Sequence, residues 1–513
     1  MRVAHPSYRS TPPAAGQDRP AGHLLVESIH RLAEETGRGR RHAADNLAAA
    51  LTLAVTDAVL ADQATDVLAA ANPAIWLDLD IALRRRDDRN RTVDRSPLPL
   101  ALVLTACARR GRKREWAVRH PVMRDDLRPL PVLLVRSTDW AEAVRAPALK
   151  VLREVLTDGN VPATALASAA SVAVRLADRV RGGPALDLVC DALVRAGDDT
   201  LDGVRACADP RGRRYAFDVV LRAGRMDHGR LVAAARHEPD SVIRTRCATE
   251  LAEQAVAQDR PELAEEILDG TSAAGRVQAL TALVRLGHTR HASRFLDDVT
   301  GMVRLTAQWG LRRAGGDPAE LYRRRVENGG ATRGLLAGLG DCGARADGAL
   351  VEPYLRDPRP RVRAEAVRTL RRLGARADVA ALLGDPAPVV VRNVVTTLLA
   401  DGPGVPVERL WALCAAGRPR HVRVAAYRLL ARRDAWSRIH AGLRLVSDPD
   451  ETLRGLAHAD LTLWCRADVA TAYRRPCPAA LREKLVDLTR TAAEALGAES
   501  TRLLLWSLRD GTG

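Results

Sequence analysis

The sequence predicts an all-α solenoid, a stack of helical hairpins about 30 residues long, and three observations carry that prediction. An arginine recurs at Arg213, Arg244, Arg276, Arg304, Arg333, Arg363, Arg392, Arg423 and Arg454, at intervals of 31, 32, 28, 29, 30, 29, 31 and 31. Apolar residues follow each arginine at helical offsets. The chain has 513 residues but only 3% aromatics, so it is too long for one compact core, and its burial must come from many small aliphatic contacts.

Residues 1–22 are rich in Pro and polar residues without helical periodicity, which predicts a disordered tail. Order is expected from about His23. LLVESIHRLAEE and NLAAALTLAVTDAVLADQATDVLAAA then carry apolar residues at helical spacing, and Asn72-Pro73 closes the second before AIWLDLDIALRRR. Residues 23–204 are expected to be divergent repeats with an N-terminal cap, 205–470 regular repeats, and 471–513 capping helices. AVRAPALKVL, around Arg145, looks like an earlier repeat, and ESTRLLLWSLRD reads as the final helix.

Three residues after the arginines stand Ala216, Cys247, Ala279, Ala307, Leu336, Ala366, Val395, Ala426 and Ala457. Seven after come Val220, Leu251, Leu283, Leu311, Leu370, Leu399, Leu430 and Leu461, so offsets 0, 3 and 7 share one helix face. The repeat at Arg333 has Gly340 in the seventh place and reads as slipped by one residue. Gly224, Gly287, Gly315 and Gly374, eleven residues after their arginines, suit left-handed caps that end the first helix. Between repeats, Asp209-Pro210, Asp357-Pro358, Asp385-Pro386 and Asp448-Pro449 stop one helix and cap the next.

DPRPRVRAEAVRTLRRLG, residues 357–374, resembles the HEAT-repeat signature, of the PBS-lyase HEAT-like kind. The resemblance is clear over roughly 205–465 and implies a right-handed superhelix of helical hairpins. It also implies an internal side-chain ladder from Asp357, Arg363, Asp385, Arg392, Asp448 and Arg454. Bacterial DNA glycosylases and bilin lyases share such repeats, but no catalytic residue of theirs can be placed on this chain by motif.

The formal charge is +16, from 79 basic and 63 acidic residues, and only Lys113, Lys150 and Lys484 are lysines. Half of this excess falls between Arg84 and His120. There twelve cations, Arg84, Arg85, Arg86, Arg89, Arg91, Arg95, Arg109, Arg110, Arg112, Lys113, Arg114 and Arg119, face four acids. RRRDDRNRTVDR reads as an exposed loop and ARRGRKREW as a helix end plus its turn, together a candidate polyanion-binding patch near Trp116. The more economical reading is a solvated loop and a helix terminus complemented by basic residues. Arg84, Arg85, Arg86, Arg109, Arg110, Arg112, Lys113 and Arg114 are the residues that would hold the polyanion.

Phe295, Tyr322, Trp411 and Tyr473 recur 18 or 19 residues after their arginines, and Leu382 stands in the same place in another repeat. An aliphatic equivalent favours core packing over a base-stacking groove. The eight cysteines, without CxxC pairs, read as reduced thiols. His288 and His291 with Asp297 or Asp298, and His440, His458, Cys465 and Cys477, are too loosely spaced for a metal site.

No phosphate-loop, nucleophile-elbow or HExxH motif is present, and the glycines of GLLAGLGDCGARADG fit a repeat turn. No catalytic residue, cofactor or metal is therefore expected. Without a signal-peptide core or a long apolar run, the chain is expected in the cytoplasm, off the membrane. The expected function is a non-enzymatic scaffold for a protein or peptide partner. The alternative is a nucleic-acid binder with a basic surface, in the manner of the repair glycosylases. Oligomeric state is not readable from these residues.

Overall fold

The computed structural model describes residues 19–86, 96–158, 160–401, 404–467 and 477–508. All secondary structure in those residues is helical. The chain divides into two compact units, Met1–Leu251 with Gly270–Ser272, and Ala252–Asp269 with Ala273–Gly513. Each is an all-α stack of solenoid type. In the first unit Gly111–Arg119 packs on Glu142–Thr157, and Ala163–Leu176 on Pro210–Arg222. In the second, Arg333–Cys342 packs on Pro360–Leu373, which packs on Pro388–Asp401, which packs on Arg420–Ala431. Two of the return segments, Thr289–Phe295 and Val379–Gly384, are short 3-10 turns.

The N-terminal apolar run forms two helices rather than one, Arg41–Ala54 and Ala58–Ala70. Asp57 makes the break: its side chain accepts from the Val59 and Leu60 amides and starts a new helix inside a continuous apolar pattern. ARRGRKREW is likewise not a helix end with its turn, because Gly111–Arg119 is a helix of its own. The glycines of GLLAGLG lie within helix Arg333–Cys342, not in a turn. Gly338 is required there because a Cβ would stand 2.1 Å from Cζ of the Tyr322 ring.

The expected helix face is the core. Ala216, Cys247, Ala279, Ala307, Leu336, Ala366, Ala426 and Ala457 are all fully buried, as are Val220, Leu251 and Leu283 four residues further on. The small residues allow close approach of adjacent helices, and the larger ones fill the space one turn later. Gly374 ends its helix at φ 64°, and the following amide, of Ala375, donates to Leu370 O at 3.0 Å. Gly224, Gly287 and Gly315 do the same, the receiving carbonyls belonging to Val220, Leu283 and Leu311. At Val220, Leu283 and Leu370 the same helix position thus both packs the core and anchors the cap.

The recurring arginine is the fourth residue of its helix at Arg213, Arg244, Arg276, Arg304, Arg363, Arg423 and Arg454. Its task is double. At Arg363, Nη1 donates to Asp357 O at 2.9 Å and Pro358 O at 3.1 Å, tying down the turn six residues back. Its Nε and Nη2 form a fork on the Asp385 carboxylate of the next repeat at 2.8 and 2.9 Å. Arg145, Arg244, Arg304 and Arg454 hold their own turns the same way. Arg276 reaches Asp298, and Arg423 reaches Asp448, in the next repeat. Only a guanidinium has enough fixed donors to do both at once.

The aspartate completes the unit by closing the turn that leads into its own helix, not by capping that helix as the Asp-Pro pairs suggest. Asp298, Asp357, Asp385 and Asp448 accept from the amide two residues on, at 2.7 to 2.9 Å. Asp357 pairs with Arg359, and its backbone rather than its carboxylate meets Arg363. The ladder therefore runs from one repeat's arginine to the next repeat's aspartate.

Arg392 is not a rung. Six residues after Asp385 stands Val391, which is buried, while Arg392, seven after, is exposed with Leu399. That repeat sits one residue earlier than its arginine suggests, with Val391 and Val394 toward the core. The place 22 residues beyond Arg392, where Arg363 finds Asp385, is occupied by Cys414.

Replacing Asp385 by Ala removes the acceptor for the Ala387 amide and leaves Arg363 without its carboxylate. It should cost about 3 kcal/mol in urea unfolding, whereas Arg392→Ala should stay within about 0.5 kcal/mol of wild type. Equal effects would show that the ladder does not hold the stack.

Candidate functional site: an arginine cluster around Asp139

Arg114 is the fourth residue of its helix and lies 31 residues before Arg145, so it is an earlier rung of the ladder. It is fully buried. Its Nη1 donates to Ala108 O at 2.9 Å and Arg109 O at 2.7 Å, and its Nε and Nη2 grip Asp139 at 2.9 and 3.1 Å. Arg114 consequently leaves the candidate polyanion surface: every face of its guanidinium is spent on protein.

Asp139 gathers more than one rung. Arg136, 1% exposed, reaches Asp139 at 3.2 Å with Nη1 and Asp80 with Nη2. Arg84 lies 3.2 Å from Asp80 and 3.6 Å from Asp139. The aspartate closes the turn before the next helix by accepting from the Ala141 amide at 3.0 Å, and its carbonyl accepts from Arg145. Burial pushes the Asp139 carboxyl up, but the Arg114 hydrogen bonds, the Ala141 amide and Arg136 outweigh it and hold the group below the usual carboxylate range.

Arg179 completes the cluster, donating to Thr138 Oγ1 at 3.1 Å. Burial depresses its pKa, Asp80 opposes the shift, and the neighbouring Arg136 and Arg84 add to it. Among the described residues Arg84, Arg114 and Arg136 thus surround two carboxylates, Asp80 and Asp139, with Arg179 beside them, a set with two positive charges in excess. Cys107 is buried against the same group, and its thiol is pushed up by burial and by Asp80 beside it. A thiol so held is not a nucleophile. The arrangement can hold an anion; it offers no acid, base or nucleophile for catalysis.

The two basic segments meet through Asp139, which both Arg84 and Arg114 approach. The other candidates do not join them in the cluster. Arg85 is exposed 3.9 Å from Asp45, and Arg86 donates to Asp45 O. Arg109, Arg110 and Arg112 are exposed and Lys113 is half-buried, along a turn and helix start. Arg89, Arg91 and Arg95 lie outside the described residues. Sequence reasoning passed over Asp80, Arg136, Asp139 and Arg179. The signal for Asp139 was its spacing: it stands six residues before Arg145, as Asp357 does before Arg363.

Elsewhere, Phe295 and Tyr322 are core residues, and the Tyr322 hydroxyl donates to Leu296 O at 2.8 Å. Tyr473 lies outside the described residues. Tyr322 and its neighbour Arg323, which pairs with Asp347, form no open stacking groove. His291 meets Glu265 at 2.9 Å, and no cluster of three or more His, Cys, Asp or Glu suited to a metal occurs among the described residues.

His440 is buried with its ring 4.8 Å from that of Trp411, and its Nε2 has no hydrogen-bond partner. Burial, with Lys484 and Arg444 nearby, lowers its pKa to about 4. The unfolded chain therefore binds a proton here between about pH 6.5 and 4 that the folded chain refuses, so stability falls as pH drops through that window. The loss should reach at most about 3 kcal/mol, and His440→Leu should flatten it in unfolding curves taken from pH 7 to 4.

No protein family and no curated protein matches the chain. Among solved structures, a crystal structure of importin beta aligns with 96% of this chain and 69% of its own, at 12% identity and a TM-score of 0.42. A crystal structure of Kap121p aligns with 96% of this chain and 52% of its own, at 14% identity and a TM-score of 0.19. An engineered protein aligns over 59% of this chain and 94% of its own, at 17% identity and a TM-score of 0.11. The chain thus spans about two thirds of importin beta and about half of Kap121p.

Proposed function

We propose that this chain is a non-enzymatic cytoplasmic scaffold, of the PBS-lyase HEAT-like kind, that binds a protein or peptide partner on its solenoid surface. One observation carries the reading. The residue after the ladder acid is proline at Pro239, Pro358, Pro386 and Pro449, where it stops the preceding helix. In one repeat of each unit that place is taken by a large apolar residue turned to solvent: Trp140, 70% exposed, and Val299, 66% exposed. Neither can serve the core from there.

The second of these sites continues along its helix. Met302 and Leu305 are 60% and 45% exposed, at three-residue spacing after Val299. Apolar side chains grouped in this way on a polar surface are the usual mark of a protein contact. Among the described residues no helix is long and apolar enough to cross a membrane, so a bilayer-spanning role does not account for them. A nucleic-acid role finds less support, since Arg114, once counted among the surface cations, is a buried rung.

Affinity capture from the native cell extract should recover one protein in stoichiometric amount with wild-type chain and lose it with Val299→Asp/Met302→Asp or Trp140→Asp. Recovery of nucleic acid alone, or capture indifferent to all three substitutions, would overturn the reading.

A further inference from the structure

The arginine cluster and the exposed Trp140 belong to one place. Trp140 follows Asp139 directly and its carbonyl accepts from Arg145, while its ring lies 6.0 Å from the Arg114 guanidinium. Thr138, two residues earlier, accepts from Arg179. Val180, next to Arg179, is 99% exposed. The exposed Arg179 thus has Val180 beside it in the chain and is tied through Thr138 to the turn that carries Trp140.

The charge here is built in excess. Two carboxylates serve Arg84, Arg114 and Arg136, each accepting from more than one guanidinium, and Arg179 stands beside them bonded to the Thr138 hydroxyl. Arg136 is 99% withdrawn from solvent, and its Nε has no hydrogen-bond partner. A desolvated guanidinium with an unanswered donor is costly, and a negative charge held at the solvent-facing Arg84 and Arg179 would offset it at short range. Regular rungs such as Arg363 with Asp385 carry no such surplus.

We propose that Arg179 and Arg84, backed by Arg136, receive a carboxylate side chain of an acidic peptide, whose neighbouring apolar residue packs on Trp140 and Val180. This rests on the scaffold reading and names the partner's chemistry at one of its surfaces. A peptide fits better than a nucleic-acid backbone. The excess is compact, two charges in one cluster, and Arg85 and Arg86 turn to Asp45 instead of extending a track of cations along successive phosphates. The flanking Trp140 and Val180 suit aliphatic side chains, and guanidinium forks match carboxylates two donors at a time.

The test uses the full chain and a short fluorescein-labelled peptide of repeating Glu-Glu-Leu, followed by anisotropy. Arg179→Glu and Trp140→Ala alter exposed positions and should fold as wild type, which circular dichroism checks. Each should weaken binding about tenfold or more, the value of one charge-assisted contact or one buried aromatic. The Gln-Gln-Leu counterpart should bind the wild type about tenfold more weakly. Equal binding of both peptides, or no effect of either substitution, would overturn the proposal. So would an Arg179-dependent affinity for a single-stranded oligonucleotide, or for inorganic phosphate, that equals the peptide's. If peptide binding fails while Val299→Asp/Met302→Asp still abolishes partner capture, this inference falls and the scaffold reading stands.

Discussion

The interaction on which the rest of the structure depends is a three-way arrangement of one arginine, its own preceding turn and the next repeat's aspartate. Neither partner could be spared without leaving a polar group unsatisfied. The aspartate would lose the cation that answers its carboxylate in a nearly buried place, and the turn would lose the donor for carbonyls no helix can reach. Arg363 and Asp385 show the pattern fully, and Arg114 with Asp139 repeats it in the other unit. Because each rung joins consecutive repeats, it sets how one hairpin sits upon the next. The small residues one turn away then allow the helices to close on each other.

That division of labour explains where recognition can be built. Rungs and core positions are committed to the stack, so variation is tolerated at the turn after the ladder acid and on the first exposed turn of the helix. Proline is sufficient there for folding. Trp140 and Val299 depart from it and place apolar surface in water, which weakens solubility without any return to the core. Around Asp139 the departure coincides with a surplus of guanidinium groups, so one rung of a structural ladder also presents a positively charged surface.

Much of the fold was legible because the repeat writes itself as a period. The arginine spacing and the small residue three later located the stacked helices, and the glycines at eleven marked their ends at Gly224, Gly287, Gly315 and Gly374. What escaped were single-residue shifts. Arg392 keeps the period to within a residue but stands seven rather than six places after its aspartate, and one residue on a helix turns a side chain by about 100°. The charge census misread Arg114 for a related reason. Counting cations along the chain cannot tell a buried rung from a solvated neighbour such as Arg112, although the 31-residue step to Arg145 could have done so. The cluster itself was hidden, since Asp80, Arg136 with Asp139, and Arg179 come together from three separated segments.

The account's central claim is that the ladder arginine and the next repeat's aspartate act as one energetic unit. Its most direct test is a double-mutant cycle on Arg423 and Asp448, both nearly buried and joined at 3.1 Å through Nη1, with Arg423→Met, Asp448→Asn and the pair compared by urea unfolding of the full chain. The account predicts that each single substitution destabilises by roughly 2 to 4 kcal/mol and that the double loses much less than their sum, a coupling of at least about 1.5 kcal/mol. Additive losses within about 0.5 kcal/mol would contradict it, and the repeats would then be held by apolar packing alone.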